Sequence, residues 1–372
     1  MTKKLRVAVL FGGRSGEHDV SLMSARSVLS VLDAKRYEVI QVGITLDGNW
    51  LTGENVLEVF ESGDTKDLNR VIPPTEPASR QSVFVTRSTK TGEKLETLSA
   101  IDVFFPVLHG PFGEDGTIQG LFELADVAYV GAGVVGSSVG MDKGIFKDVM
   151  RANGIPIVES ILVLRSDIEK DMNAVIEKAE GMGAYPFFTK PANLGSSVGI
   201  SKCNSRSDLA EGLMDAARYD RRILIEKGVG NVREVECSVL GNEEVQVSVC
   251  GEVLPSREFY SYESKYIDGT SGLIIPSQMP SEITEKIREY AIRAYKAIDC
   301  AGMARADFFV ETETKKIYIN ELNTLPGFTS ISMYPKLWQA SGMTYAHLVD
   351  KLIELALERK SQRDNTERRR TA

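Results

Sequence analysis

The segment from Arg305 to Met333, RADFFVETETKKIYINELNTLPGFTSISM, constrains the fold most, because it reads as two alternating strands followed by a loop. Side chains two apart in a strand share a face. Arg305 and Asp307 therefore share a face of the first strand, and Glu321 and Asn323 share a face of the second. Pairing as a hairpin through the polar turn from Thr312 to Lys315 brings those faces together if the register permits, and sequence leaves the register open. Two carboxylates and an amide oxygen would then stand beside a guanidinium. Acid pairs are most often a solvated face. Here the interleaved residues (Ala306, Phe308, Phe309, Ile317, Ile319, Leu322) are apolar, which places the hairpin centrally. Charges held in a core need a partner or a metal. An all-oxygen set suits Mg²⁺ or Mn²⁺, hard ions that usually share their coordination with phosphates.

A chain of 372 residues exceeds one ordinary core and implies two or three domains. Its 26% charged and 42% apolar residues are globular values, with no membrane-spanning stretch. A net charge of -8 argues against nucleic acid as the main partner. The four cysteines (Cys203, Cys237, Cys250, Cys300) lie far apart, which indicates neither a zinc site nor a disulfide framework. The apolar run after Lys3 and Lys4 stops at a glycine loop without a small-residue cleavage pattern, so it reads as a first strand and not a signal peptide. A cytoplasmic, reduced protein is expected.

Leu5 to Phe11 has the continuous apolar character of a buried parallel strand. A glycine loop, a helix from about Ser21 to Leu32 and a strand from Tyr37 to Ile44 follow. A dinucleotide fold needs G-x-G-x-x-G and an acid at the end of the second strand. Gly12, Gly13 and Gly16 lack that spacing, and the strand ends in Gly43-Ile44-Thr45, so the dehydrogenase reading fails. Residues 53–92 look irregular or edge-like. Ile101 to Leu108 is a second buried strand, and both loops leave carboxyl ends of strands, where open α/β sheets bind ligands. They carry His18 and His109; His347 falls in an amphipathic helix. One helix is expected from about Ser137 to Asn153, with Lys143 and Lys147 on it, although helix lysines ordinarily face solvent. The strand Pro186 to Lys190 leads into a glycine–serine loop able to cradle phosphates, with a further strand over 198–200. Glu226 and Glu234 flank a glycine turn able to hold a nucleoside. Residues 255–280 form a long tyrosine-rich loop of the kind used as a lid. A helix capped by Ser281 comes next, and the chain ends in a charged tail expected to be disordered.

Seven motifs now stand in order: FGGRSGEHDVS, HGPFGEDG, MDK, KPANLGSSVGISK, EVECSVLGN, SYESKYID and INELNTLPGFTSISMYP. Together they closely resemble the D-alanine–D-alanine ligases of the ATP-grasp superfamily, over nearly the whole chain. The resemblance implies an α/β protein with the ATP-grasp fold. A Rossmann-like N-terminal domain (1–136) would precede a small central α+β domain (137–227) and a C-terminal α+β domain (228–360, with the lid), leaving a tail (361–372). It implies ATP as substrate with two Mg²⁺ or Mn²⁺ ions, D-alanine as the amino-acid substrate and a homodimer. Lys143 and Lys190 would contact ATP phosphates under the Gly195-Ser196-Ser197 loop. Glu226 and the backbone near Val229 would hold the adenine and Glu234 the ribose, with Asn320 also at the nucleotide. Asp307, Glu321 and Asn323 would bind the metals. Glu17 would meet the amino group of the first D-alanine, His109 its carboxylate side. Glu17, Ser196 and Tyr266 would form a hydrogen-bonded triad, Lys265 would reach the transferred phosphate, and Arg305 with the Gly327 amide would bind the oxyanion. Ser332 and the Met333 amide would take the second carboxylate. By the same resemblance, relatives with phenylalanine at the Tyr266 position can make the D-alanine–D-lactate ester, so tyrosine implies the amide product. A nucleotide-binding regulator would need no oxyanion site, which disfavours that alternative.

Overall fold

A computed structural model describes residues 4–77, 82–89, 92–254 and 272–367. The first of three sheets is built from β1 (Leu5–Gly12), β2 (Tyr37–Ile44), β3 (Trp50–Thr52), β4 (Asn69–Ile72), β5 (Ser82–Thr89), β6 (Gly92–Ala100) and β7 (Val103–Pro106), in the order β6-β5-β4-β3-β2-β1-β7. The apolar β1 runs parallel to both neighbours, β2 and β7, as its unbroken hydrophobic character requires. Helices α1 (His18–Leu29), α2 (Val56–Ser62) and α3 (Thr117–Leu124) pack on this sheet. Then come α4 (Val134–Met141) and α5 (Lys143–Ala152).

The second sheet is antiparallel, in the order β10-β9-β11-β8, from β8 (Ser160–Leu164), β9 (Phe187–Pro191), β10 (Ser201–Cys203) and β11 (Arg222–Lys227). It carries α6 (Arg165–Lys170), α7 (Met172–Glu180) and α8 (Arg206–Tyr219). The third, in the order β14-β13-β12-β15-β16, contains β12 (Val232–Gly241), β13 (Gln246–Leu254), β14 (Gly272–Ile274), β15 (Gly302–Glu311) and β16 (Ile317–Asn323). Helices α9 (Ser281–Ala297), α10 (Met333–Ala340) and α11 (Tyr345–Asp364) complete it.

The cores explain where the cleft falls. Val103, Phe104 and Phe105 of the first sheet share one apolar cluster with Phe328, Tyr334, Trp338, Leu348 and Leu352 from the C-terminal part. The second sheet has its own cluster, with Val163, Phe187, Leu209, Leu213 and Ile225. Apolar continuity therefore joins the first sheet to α10, α11 and the Leu240 and Met303 ends of β12 and β15, while the other face of the third sheet packs a cluster of its own with Val235, Ala306, Phe308 and Ile319; the middle sheet faces both across a gap. No described helix is long and apolar enough to cross a membrane.

Several local expectations are corrected. Of the irregular-or-edge expectation for residues 53–92, the edge part holds, since β4 and β5 extend the sheet toward its edge, but the described part is not irregular, because Val56, Leu57 and Phe60 make the buried stripe of α2. The expected single helix over 137–153 is two, because Asp142 adopts an extended backbone and caps α5 by accepting from Ile145 N at 2.9 Å. The strand expected over 198–200 begins only at Ser201. Ser281 is the first residue of α9, preceded by Pro280 at the cap position without a side-chain cap. The charged tail is ordered through Asp364 in α11, where Arg363 pairs with Glu123 at 2.5 Å and Asp126 at 3.1 Å.

Leu352 is fully buried in the shared core, whereas Leu124 is 72% exposed. Leu352→Ala is expected to destabilise by about 2–5 kcal/mol, and Leu124→Ala by no more than about 0.5 kcal/mol. Thermal unfolding followed by circular dichroism checks the order; equal melting points would contradict a core shared across the two sheets.

Candidate active site

Every expected site residue among the described ones lines a single cleft of about 660 Å³. Lys265 and Tyr266 lie outside the described residues.

The N-terminal sheet contributes two loops. Glu17 stands at the N-cap of α1 without capping it, and its carboxylate instead accepts a hydrogen bond from Ser196 on the opposite wall. Gly110 has a positive φ of +73°, and a Cβ there would stand 2.6 Å from Glu17 Oε2, so only glycine fits beside this carboxylate. Ser15 ties the loops together: its Oγ accepts from Glu17 N at 3.1 Å and donates to the His109 carbonyl at 2.7 Å. Burial lowers the His109 pKa, partly opposed by Glu17, so its imidazole is neutral. Burial, then the nearby Glu17 charge, pushes Glu114 well above the usual carboxylate range.

The middle wall is cationic. The break at Asp142 sets Lys143 at the first turn of α5, where its Nζ donates to the Leu194 carbonyl at 2.6 Å. Glu226, on β11, is held between Lys147 and Lys190, each 2.6 Å away. Burial alone would raise its pKa, yet the two ammonium groups hold it down at about 2. In the loop between β9 and β10, Ser196 and Ser197 have φ of 52° and 59°, left-handed values that bulky residues seldom adopt. Such local strain is characteristic of ligand-clamping loops. Val229 lies in the turn joining β11 to β12, and Glu234 is on β12.

The opposite wall is the hairpin of β15 and β16. Arg305 pairs across with Asn323, and Asp307 with Glu321, so the four polar side chains do share a face. A bulge follows: Phe308 pairs with Ile319, leaving Asn320 as the extra residue. Asn320 and Glu321 both line the cleft, while Ile319 and Leu322 on either side are buried. Arg305 donates to both oxygens of Asp307 at 2.7 Å and lies 2.9 Å from Glu236. Asn323 donates to Asp307 at 3.0 Å. Two carboxylates opposed across a ladder with an amide beside them match the oxygen donors a hard divalent cation takes. Among the described residues no cluster of three His, Cys, Asp or Glu could hold a metal by itself, so this set depends on Asn323 and on ligand oxygens.

Beyond β16, Gly327 precedes Phe328, whose ring is buried among Phe105, Tyr334 and Tyr345, so this backbone is anchored. Ser332 is the N-cap and Met333 the first residue of α10, and the unpaired amides of a helix start favour an anion.

The family description "D-ala D-ala ligase N-terminus" matches residues 6–132, and "D-ala D-ala ligase C-terminus" matches residues 149–354. The chain belongs to the D-alanine–D-alanine ligase family. It is 48% identical over 367 residues to the D-alanine–D-alanine ligase of Acetivibrio thermocellus, covering 96% of this chain and 97% of that one. Among solved structures, the VanG D-Ala:D-Ser ligase from Enterococcus faecalis aligns with a TM-score of 0.84 at 33% identity, over 95% of this chain and 100% of that one. The D-alanine–D-alanine ligase from Coxiella burnetii aligns with a TM-score of 0.81 at 32% identity, over 98% and 97% of the two chains. The three-sheet architecture is thus the ATP-grasp fold of this family.

Sequence reasoning missed Glu114 and Glu236, and Lys147, expected to face solvent, is instead buried against Glu226. Lys147 lies one helical turn beyond Lys143, a spacing that places both on one face, but nothing in the sequence marks that face as buried. Glu114 lies inside the HGPFGEDG motif, where nothing in the sequence separates it from the neighbouring Asp115. Glu236 is read only from the register of β12 against β15, which sets it beside Asp307.

Glu226 yields a pH prediction. Its folded pKa of about 2 lies below the ordinary 4.5. A depressed carboxylate stabilises the fold fully above the unfolded value and loses that contribution as pH falls through the folded one. Lys147→Met removes one of two counter-charges and raises the folded pKa, so acid unfolding should begin at higher pH than in the wild type. Tryptophan fluorescence against pH reads this directly; coincident acid transitions would show that Lys147 does not hold Glu226.

Proposed function

We propose that this protein joins two D-alanine molecules into D-alanyl-D-alanine at the expense of ATP, through a D-alanyl phosphate, releasing ADP and phosphate. The observation that carries the reading is the meeting, in one cleft, of a strained serine loop, a lysine-rich wall and an acidic hairpin face with an arginine. Family membership supplies the amino-acid class.

An amine cannot displace oxide from a carboxylate at neutral pH, whereas phosphate is a competent leaving group. Lys143, Lys190 and the Gly195–Ser197 loop would neutralise and cover the triphosphate, with Glu226, Val229, Glu234 and Asn320 around the nucleoside. Asp307, Glu321 and Asn323 would hold divalent metal, which supplies charge neutralisation at the transferred phosphoryl group. Glu17 would bind the ammonium of the first D-alanine as a counter-ion, with His109 on its carboxylate side. Its bond to Ser196 links the occupied amino-acid site to the phosphate loop. When the second amine attacks, a tetrahedral oxyanion forms. Arg305 and the Gly327 amide would stabilise it more than the planar ground state. The start of α10, at Ser332 and Met333, would receive the second carboxylate. The same reading places the protein in the cytoplasm as a homodimer supplying peptidoglycan precursor.

A second reading keeps the chemistry and changes the acceptor, because one similar structure is a D-Ala:D-Ser ligase. Incubation with ATP, Mg²⁺ and D-alanine, followed by mass spectrometry, is expected to give D-alanyl-D-alanine; absence of the dipeptide overturns the primary reading. Offering D-serine and D-lactate alongside D-alanine decides between acceptors, and a mainly ester product would select the depsipeptide ligase. Arg305→Ala is expected to lose synthesis by at least about 100-fold, measured as phosphate release dependent on D-alanine. Near-normal turnover would remove Arg305 from the oxyanion site.

A further inference from the structure

Ser24 lies in the middle of α1 and is fully buried. A helical serine commonly turns its hydroxyl back onto a carbonyl of the preceding turn. Ser27 and Ser30, further along, do so, onto the carbonyls of Met23 and Ser27. Ser24 does not. Its Oγ lies 3.0 Å from His109 Nε2 and accepts from Phe328 N at 3.4 Å. One hydroxyl thus touches α1, the loop after β7 and the segment after β16.

We propose that Ser24 is a positioning residue, fixing His109 in the tautomer that carries its proton on Nδ1 and tying the Gly327–Phe328 backbone to that imidazole. The assignment follows from counting hydrogens. A hydroxyl has one hydrogen to give, and a neutral imidazole has one N–H and one lone pair. Phe328 N–H uses an acceptor position of Ser24, and the hydrogen of Ser24 has Nε2 as its acceptor among the described contacts. Nε2 is therefore the lone-pair nitrogen. The proton then sits on Nδ1, 3.8 Å from Glu114 Oε1. At that separation Glu114 is beyond hydrogen-bond reach and cannot donate to Nδ1. The opposite tautomer would strand the Ser24 hydrogen in a buried site and turn an Nδ1 lone pair toward the Glu114 carboxyl. A buried donor left without a partner costs about 1–3 kcal/mol.

The consequence for catalysis rests on the ligase reading. With the proton on Nδ1, His109 offers the carboxylate of the first D-alanine a donor. With the other tautomer it would offer a lone pair against an anion. Ser24 also holds Phe328 N, the peptide next to the Gly327 amide, so one hydroxyl sets the aim of donors on both sides of the reacting carbon.

Histidine-selective ¹⁵N NMR tests this on the intact protein, which contains only three histidines, each assigned by single substitution. In the substrate-free wild type, His109 is expected to show a pyridine-type Nε2 and a pyrrole-type Nδ1 near neutral pH. A proton found on Nε2 overturns the proposal without recourse to any variant. In Ser24→Ala, the His109 signals should move toward the other tautomer. The kcat for dipeptide synthesis should fall by up to about 100-fold, as misplacing a substrate-positioning group does, while KM for ATP moves less than about twofold. A folded Ser24→Ala protein with wild-type His109 signals overturns it as well. Because the spectra need no substrate, failure of the ligase reading shows separately, as absence of dipeptide from the wild type.

Discussion

The bulge at Asn320 decides what the C-terminal sheet presents to the cleft. β15 alternates strictly, burying Ala304, Ala306, Phe308 and Val310 and turning Arg305 and Asp307 toward the cleft. β16 cannot alternate throughout, because Ile317, Ile319 and Leu322 are all buried and the last interval is three. The extra residue absorbs that mismatch, lets Asn320 and Glu321 line the cleft together, and keeps Leu322 in the core. Without it, one residue of slip would exchange the core face for the cleft face. The site's acidic face is therefore maintained by the packing of its apolar back.

The same hairpin explains why the two walls differ in sign. On the middle wall, Lys147 and Lys190 share the one carboxylate of Glu226. On the hairpin wall, Arg305 is shared between Glu236 and Asp307, with Glu321 next to them across the ladder. Charge held in a low-dielectric cleft is expensive unless compensated. Each wall therefore carries an excess charge, positive on the middle wall and negative on the hairpin wall, that a ligand group of opposite sign would relieve. Under the proposed ligase reading, a nucleotide–metal complex would neutralise both at once. The pairings already present limit the desolvation cost and hold the side chains in place beforehand, which is what electrostatic preorganisation requires.

Much of this was legible in the sequence because periodicity and turn chemistry act locally. The unbroken apolar run of β1 announced a parallel sheet, and alternation announced the hairpin. The bulge was also visible in principle, as the three-residue interval between Ile319 and Leu322. Asp142 signalled its own helix break, since an aspartate before Lys143-Gly-Ile145 is a good N-cap, but it sat inside a longer helical pattern that hid it. What escaped were features that only tertiary packing decides. Lys147 is an ordinary helix lysine until the middle sheet sets Glu226 beside it. Arg363 belongs to a charged tail until Glu123 and Asp126 give α11 something to hold. Local composition carries no record of such partners.

Ser24 shows the same limit from the side of hydrogen bonding. A serine among the small residues of an amphipathic helix reads as filler, and its neighbours Ser27 and Ser30 behave as such. Burial changes the question, because a hydroxyl removed from water must be satisfied by the protein. Here the groups that satisfy it are an imidazole and an amide brought from 85 and 304 residues away in sequence. The N-terminal and C-terminal cores are continuous at this point, through Phe105 and Phe328, and that continuity holds the three groups within reach of one another. The shared apolar core thus does more than stabilise the fold: it fixes the separation between the wall bearing Glu17 and His109 and the loop bearing Gly327.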